Sequence, residues 1–358
     1  MSESLEDTHE STSSEIASAE QAPPEPSPPE GAADREVHGV QDTESPWGPV
    51  VERLLDAVES HVLGQRAVAE QLTAAYVAGG HALLEGVPGV GKTLLARSFA
   101  AALGLQFQRI QFTPDLMPAD VLGTHIYDRE GSAFKWMPGP VFTQILMADE
   151  INRTPPKTQA ALLEGMQERQ VSMDGERRLL DPSFFVVATQ NPVEFEGTYP
   201  LPEAQLDRFL LRIDMGLPDA EHEQELYRRA LDPAPERRPG GLPDAVLSPQ
   251  EAAGLRLASR RVRVSEDLVA YLYRLADTVR RSPQLELGIS PRGALALLEV
   301  ARAFAVVEGR NFVIPDDFKR GLLPCWGHRL MLGAEAELEG HSAARLLTTL
   351  ADSVDVPK

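Results

Sequence analysis

The sequence predicts an α/β fold, with a five-stranded, mostly parallel β-sheet covered by helices, followed by a smaller all-helical domain. Three observations predict this fold. Five short apolar runs alternate with segments of helical periodicity. A glycine-rich stretch joins the first apolar run directly to a helix. After about residue 218 the strand pattern disappears and only helical segments follow.

The chain is long enough for two domains of ordinary size, with 358 residues of which 42% are apolar. We expect an α/β domain over 46–218 and a helical domain over 219–358. Residues 1–45 are rich in Ser, Glu and Pro and nearly lack large apolar side chains, which predicts a disordered acidic tail.

Charge is concentrated in that tail. The net charge is −20, and residues 1–45 carry twelve Asp or Glu and one Arg, so about −11 lies there and about −9 in the rest. Nucleic-acid binding depends on clustered Lys and Arg, so this balance argues against a nucleic-acid partner.

Other bulk features exclude several classes of protein. No stretch approaches the ~18 apolar residues of a membrane span, and the N-terminus lacks the pattern of a secretory signal, so we expect a cytoplasmic protein. The single cysteine, Cys325, rules out an internal disulfide framework and is expected to be buried. The eight histidines are scattered, which argues against a zinc or iron centre, and we expect His328 to be a packed or capping residue.

The first candidate strand, in "HALLEG", leads into the glycine-rich loop, and "TLLARSFAAALG" follows as a helix that ends at Gly104. The helix "PPKTQAALLEGMQE" is expected to have Thr154 as N-cap and Pro155 at its first position. The other candidate strands are "FQRIQF" (107–112), "QILMADE" (144–150), "FFVVATQN" (184–191) and "FLLRIDMGL" (209–217). A ligand is expected at the carboxyl ends of such strands.

Two segments read as hairpins inserted between these elements. Residues 123–142 have turn signals at Asp128 to Gly131, and residues 169–180 contain Asp174-Gly175, a strong signal for a tight turn. Such protrusions often carry function, although a tolerated surface insertion would look the same.

The glycine-rich loop is typical of phosphate binding. Gly86, Gly91, Lys92 and Thr93 satisfy the pattern G-x-x-x-x-G-K-[ST], in which backbone N–H groups face the phosphates. Lys92 would neutralise phosphate charge, and Thr93 would reach Mg²⁺. The predicted nucleotide-binding residues are Gly86, Val87, Pro88, Gly89, Val90, Gly91, Lys92, Thr93 and Leu94.

Candidates for the remaining chemistry of phosphoryl transfer follow in order along the chain. Asp149 ends an apolar run and would hold Mg²⁺ with Thr93, and Glu150 would polarise an attacking water. Asn191 ends another run, where it would either position that water or simply form a turn before a proline. Arg208 and Arg292 lie on predicted helices, where spacing alone favours solvent-exposed residues.

Several long stretches resemble the MoxR family of AAA+ ATPases, within the group that has an insert in the second helix. They are "GVPGVGKT", "LMADEINRTPPKTQAALLEGMQERQV", "ATQNPVEFEGTYPLPEAQLDRFLLR" and "GISPRGALAL". The resemblance covers about residues 47–333 and departs from the family at no catalytic position. It implies a P-loop AAA+ domain with a helical lid, and the acidic tail is not part of the family pattern.

The resemblance also implies roles for single residues. Gly86 to Thr93 match the Walker A loop, and Asp149 with Glu150 match Walker B. The catalytic set is completed by Asn191 as sensor 1, Arg208 as an arginine finger for the neighbouring subunit, and Arg292 as sensor 2. "VLGQ" at 62–65 matches the turn beside the adenine, while 120–142 and 169–180 match the helix-2 insert and the hairpin before sensor 1.

These implications predict an ATP- and Mg²⁺-dependent ATPase that assembles as a ring, usually a hexamer. MoxR-like proteins are thought to remodel or mature client protein complexes, often with a partner that contains a von Willebrand factor A domain. Three alternatives remain open at this stage: an ATPase subunit of a magnesium-chelatase-like metal insertase, a nucleic-acid motor, and a scaffold that binds ATP without useful turnover. Preference for ATP over GTP rests on the resemblance alone.

Overall fold

The computed structural model describes residues 45–173, 175–191, 197–231 and 240–357. These residues belong to one compact unit, Asp42–Lys358. The predicted disordered tail lies outside the described residues apart from Ser45, and so does Asp174 of the predicted turn.

Helices and strands alternate through the first part of the chain. In chain order they are α1 (Gly48–Glu59), α2 (Arg66–Val77), β1 (Ala82–Glu85), α3 (Lys92–Ala102), β2 (Phe107–Gln111), α4 (Pro118–Leu122), β3 (Gly123–Asp128), β4 (Ala133–Pro138), β5 (Ile145–Asp149), α5 (Pro156–Glu168), β6 (Gln170–Met173), β7 (Glu176–Leu179), β8 (Phe185–Gln190), α6 (Glu203–Leu206) and β9 (Leu211–Asp214).

Helices dominate the second part. They are α7 (Ala220–Leu231), α8 (Pro249–Ala258), α9 (Glu266–Arg280), α10 (Pro291–Val307), α11 (Pro315–Trp326), α12 (Ala334–Leu338) and α13 (Ala343–Asp352), with β10 (Leu285–Leu287) and β11 (Met331–Leu332) between them. No helix of the described ranges is long and apolar enough to cross a membrane.

The central sheet has the strand order β2-β5-β8-β1-β9, and every neighbouring pair is parallel. All five strands predicted from the apolar runs are therefore confirmed. Strands β5 and β8 are buried almost throughout because helices cover both faces, which explains why their sequences are continuously apolar rather than alternating.

The two faces of the sheet pack into two separate hydrophobic clusters. Along β1, Ala82 and Leu84 belong to the larger cluster, which includes α1 to α3 and the lid helices, whereas Leu83 points into the smaller cluster with α5. Successive side chains of a strand point to opposite faces, so one short apolar run supplies both clusters.

Both predicted hairpins are present. Strands β3 and β4 pair antiparallel, with Tyr127 opposite Phe134, and β6 pairs antiparallel with β7. The Arg178 guanidinium lies 4.3 Å from the ring centroid of Trp136, so the two hairpins contact each other. Phe134 is 71% exposed, which leaves an aromatic side chain at the surface of the first hairpin.

The structure corrects two details of the sequence reading. The second part is not all-helical, because β10 and β11 form a short antiparallel pair. Helix α5 begins one residue later than expected, with Pro155 in the N-cap position and Pro156 first in the helix. Pro155 precedes another proline and is therefore extended, with ψ 151°, so Thr154 does not cap the helix.

Candidate nucleotide-binding site

The glycine-rich loop joins β1 to α3 and depends on glycine at two positions. Gly91, immediately before α3, has φ 99°, a left-handed conformation that side chains disfavour. A Cβ on Gly86 would lie 2.4 Å from the carbonyl oxygen of Met215, which follows β9. The loop is therefore set between two neighbouring strands at the carboxyl edge of the sheet.

The N-terminus of α3 closes this loop. Lys92 and Thr93 are the first two residues of that helix, and both are partly buried. The Lys92 ammonium donates to the carbonyl of Gly86 and, at 3.4 Å, to that of Val87. A helix N-terminus with unpaired N–H groups favours an anion, and here it carries a lysine beside it.

Two acidic residues end β5 beside the loop. Asp149 is its last residue and is 8% exposed, while Glu150 follows in a left-handed conformation with φ 56°. Thr189 of neighbouring β8 links the two, because its hydroxyl donates to Asp149 Oδ1 at 2.5 Å and accepts the backbone N–H of Glu150 at 2.9 Å. This bridge fixes both carboxylates relative to the sheet.

Strand β2 contributes two further polar side chains to the acidic pair. Arg109 Nε donates to Asp149 Oδ2 at 3.0 Å, and Gln111 Nε2 donates to Glu150 Oε2 at 2.7 Å. Arg153 follows Glu150 in a 3₁₀ turn, with its Nε 3.1 Å from the same Oε2. The sequence analysis missed these residues, although Arg109 and Gln111 share one face at the end of a parallel strand.

Asn191 and the predicted adenine turn lie at the same edge of the sheet. Asn191 directly follows β8 and is 4% exposed. Gln65, at the end of "VLGQ", donates from its side chain to the carbonyl of Gly216 at 2.9 Å, so the turn lies beside the segment that follows β9.

Burial raises the pKa of the Glu85 carboxyl, which ends β1, and nearby Arg212 opposes that rise.

Arg208 and Arg292 lie at the opposite, amino-terminal edge. Arg208 is in the turn between α6 and β9 and donates to the carbonyl of Leu163 at 3.0 Å. Arg292 is the second residue of α10, 3.7 Å from Asp207 Oδ2. Both line a cavity of about 240 Å³ together with Gly80, which precedes β1.

This edge is far from the phosphate loop of the same chain. Gly80 and Gly86 lie six positions apart on either side of β1, about 20 Å at ~3.3 Å per residue. The structure therefore brings the loop, Asp149, Glu150 and Asn191 to one edge of the sheet, and the two arginines to the other.

Arg329 of the lid is the main polar link to this amino-terminal edge. Its Nε lies 2.8 Å from Asp207 Oδ1, and it donates to the carbonyls of Phe209 at 2.8 Å and Leu210 at 3.2 Å. It also donates to the carbonyl of Cys325, which is buried as predicted. Burial raises the pKa of the Cys325 thiol to about 11, so it remains protonated at neutral pH.

Two buried histidines support the same edge. His81 Nδ1 accepts the N–H of Val186 at 3.0 Å, and its Nε2 lies 3.2 Å from the carbonyl of Met166. His328, packed as predicted, has Nε2 3.1 Å from the carbonyl of Phe209. Burial lowers the pKa of each histidine to about 3, so both are neutral near pH 7.

The sequence and structure match known proteins over most of the chain. Residues 81–211 match the ATPase family associated with various cellular activities (AAA), and residues 278–350 match the AAA lid domain. Chaperone MoxR1 of Mycobacterium tuberculosis is 40% identical over 86% of this chain and 82% of its own length. The chain belongs to the MoxR family of AAA+ ATPases.

Two other similarities agree with this MoxR-family assignment. YeaC of Bacillus subtilis, a protein described as uncharacterised, is 42% identical over 86% of this chain and 95% of its own length. The crystal structure of a candidate ATPase from Cytophaga hutchinsonii superimposes with a TM-score of 0.79 at 39% identity, covering 87% of this chain and 96% of that one. Membership of the MoxR family of AAA+ ATPases implies that this chain binds nucleotide and is an ATPase.

Proposed function

We propose that this MoxR-family ATPase works as a closed ring of identical subunits, a hexamer, that hydrolyses ATP with Mg²⁺ in the cytoplasm. In this proposal it remodels or matures a client protein complex, together with a partner that contains a von Willebrand factor A domain. The observation that supports a ring is that the phosphate loop lies on one edge of the sheet while Arg208 and Arg292 lie on the opposite edge.

The carboxyl edge would bind and activate the reactants. Lys92 and the N–H groups of the loop would hold the phosphates of ATP. The Thr93 hydroxyl and the Asp149 carboxylate are oxygen donors of the kind that fits Mg²⁺, and the fixed, buried position of Asp149 suits that role. When bound, Mg²⁺ would neutralise charge on the phosphates. Glu150 would accept a proton from the attacking water, and Asn191 would orient that water.

The amino-terminal edge would serve the neighbouring subunit. Charge spreads over the transferred phosphoryl group in the transition state, and guanidinium groups stabilise it. About 20 Å of sheet separates Arg208 and Arg292 from their own loop, so we assign both to the site of the adjacent subunit. A repeated head-to-tail contact of this kind forms a ring when the rotation between subunits closes, and we propose that it closes here. We also keep, as part of this proposal, the predicted boundary between the α/β domain and the lid at 218/219.

Hydrolysis would be coupled to a client through the two hairpins. They protrude between the main elements, they touch through Arg178 and Trp136, and the first exposes Tyr127 and Phe134. The relative named chaperone MoxR1 supports a client of protein rather than nucleic acid. The acidic composition of the chain supports the same choice.

Turnover and particle mass, measured together, test the carboxyl-edge roles. Wild type and Glu150→Gln would be compared with and without ATP and Mg²⁺, with Glu337→Gln, an exposed position on α12 of the lid, as the matched control. We expect Glu150→Gln to bind ATP and assemble while turnover falls by orders of magnitude, and Glu337→Gln to keep its turnover. Wild-type turnover in Glu150→Gln would remove Glu150 from its assigned role.

Mixing experiments test the assignment across subunits. Arg208→Ala subunits added to wild type should reduce activity out of proportion to their number, whereas a loss linear in their number would argue that Arg208 acts within its own subunit. The control is Arg281→Ala, an exposed lid residue, which should leave activity unchanged when mixed in. Full activity of Arg208→Ala alone would contradict the assignment. Assembly of that variant is checked by mass in the same samples.

A further inference from the structure

A second, larger cavity at the amino-terminal edge has no part in the proposed hydrolysis. It measures about 620 Å³ and lies between the α/β domain and the lid helices α8 and α10. Apolar side chains form part of its wall, from Val77, Leu180, Pro182 and Leu257. The rest is dominated by four arginines, Arg169, Arg256, Arg260 and Arg302. We call it the arginine cavity.

Two of these arginines are partly buried in the wall and share one acceptor. Arg169 donates to the carbonyls of Phe184 at 2.5 Å and Gly79 at 2.6 Å. Arg256 donates to the same Phe184 carbonyl at 3.0 Å and to that of Ser183 at 3.3 Å. The two guanidinium groups therefore bind the same carbonyl oxygen and lie close enough to repel each other.

Acidic side chains neutralise only part of this positive charge. Asp181 and Glu299 are the two carboxylates in the lining, and Glu299 pairs with Arg302 at 3.1 Å. In the part of the chain that the structure describes, Arg169, Arg256 and Arg260 make no ion pair. By contrast, the buried Asp317 of the lid is paired with an arginine at 2.6 Å.

Arg169 and Arg256 are partly buried and donate to carbonyls, and partial burial of a charge without a carboxylate partner is unfavourable, so an anion bound in the cavity would offset that cost. Burial, together with the repulsion of neighbouring Arg169, lowers the pKa of Arg256 to about 10. That pKa still leaves Arg256 charged at neutral pH. Four arginines and two carboxylates give the lining an excess of about two positive charges.

We propose that the arginine cavity is a binding site for a small anion with two or more phosphate groups, separate from the phosphate loop. Guanidinium groups match phosphate oxygens in a bidentate manner, and the excess charge favours a multivalent anion. The volume suits a ligand of the size of a nucleotide or smaller. Because the lining comes from both the α/β domain and the lid, the bound anion also fastens these two parts together.

Pyrophosphate is the probe, and the Lys92→Ala background removes its binding at the phosphate loop. Binding is measured by calorimetry in three chains: Lys92→Ala alone, Lys92→Ala with Arg260→Ala, and Lys92→Ala with Arg261→Ala. Arg260 and Arg261 are adjacent and exposed in one 3₁₀ turn, but only Arg260 lines the cavity. Neither substitution disturbs the core.

We expect one pyrophosphate site in Lys92→Ala, roughly tenfold weaker affinity with Arg260→Ala, and no change with Arg261→Ala. The melting temperature should rise with pyrophosphate in the same pattern. Absence of binding in Lys92→Ala, or equal affinity in the two double variants, would overturn the proposal. Residual ATP binding at the loop of Lys92→Ala would count against the proposed function, while the comparison of Arg260 with Arg261 would still test the cavity.

Two further probes identify the source of the phosphate groups. ADP that competes with pyrophosphate, with the same dependence on Arg260, would assign the cavity to a nucleotide. Binding of pyrophosphate without competition by ADP would assign it to a free polyphosphate. Citrate that binds as tightly as pyrophosphate would show a site for carboxylates and would refute the phosphate class.

Discussion

Replacing Thr189 by Val removes the hydroxyl that joins Asp149 to Glu150 while keeping nearly the same side-chain volume. Thr189 is fully buried, so water cannot replace the lost group. The substitution leaves Asp149 Oδ1 without its short hydrogen bond and leaves the backbone N–H of Glu150 without an acceptor. Both losses fall on the two carboxylates assigned to catalysis.

The magnitude follows from these two contacts. A hydrogen bond to a charged group contributes about 1.5–3 kcal/mol, and an unsatisfied buried N–H costs about 1–3 kcal/mol. We therefore expect Thr189→Val to lower the free energy of unfolding by about 3 kcal/mol. At roughly 2–4 °C per kcal/mol for a domain of this size, the melting temperature should fall by about 6–12 °C.

Urea unfolding and steady-state ATP turnover test this expectation, with Thr189→Ser as the control that keeps the hydroxyl. We expect the turnover of Thr189→Val to fall on the order of tenfold or more, because small displacements of catalytic groups are costly. Its affinity for ATP should change little, since the loop is untouched. If Thr189→Val and Thr189→Ser had equal stability and equal turnover, the hydroxyl bridge would not hold the acidic pair.

Three further predictions test other parts of the structure. Gly86→Ala should weaken ATP binding at least tenfold in a fluorescent-nucleotide titration, because its Cβ would collide with backbone; wild-type affinity would contradict this. Arg329→Met should lower the free energy of urea unfolding by about 2–3 kcal/mol, since the carbonyls of Phe209 and Leu210 lose this donor and Asp207 keeps only Arg292 beside it; a loss below 1 kcal/mol would count against the link. Between pH 7.5 and 5.5, the free energy of unfolding should fall by about 1.4 kcal/mol for each of His81 and His328. Their folded pKa of about 3 lies below the unfolded value, so protonation favours the unfolded chain; the same pH series on His81→Gln should lose one such contribution.

Much of the fold could be predicted because local sequence carries it. The five strands are short apolar runs between helical segments, and both hairpins have recognisable turns. The pairing of β10 with β11 could not be predicted, since three and two residues are too short to show a period. The start of α5 was displaced by one residue because two prolines stand in succession.

The candidate site was predictable only where a motif is continuous in sequence. The phosphate loop and the pair Asp149 and Glu150 are local patterns. The contacts of Thr189, Arg109 and Gln111 with that pair depend on β8 and β2 flanking β5, and strand order is not readable from one sequence. The residue roles themselves stay predictions until the variants are measured.

The position of Arg208 could not be judged from periodicity either. Spacing made it a helix residue, but it lies in the turn after α6, at the start of β9. Only the parallel arrangement of β9 with β1 shows that it belongs to the edge opposite the phosphate loop.

The phosphate loop and the two arginines lie on opposite edges of the sheet. The rate of hydrolysis per subunit is therefore expected to depend on the concentration of the protein. Under the proposed roles, a lone subunit binds ATP as tightly as any other but lacks the arginines that complete hydrolysis. Dilution below the assembly concentration should then abolish turnover per subunit while leaving nucleotide affinity unchanged. An open chain of subunits would always have one incomplete site at its end. Closure of the ring would therefore complete one more active site and add one more interface.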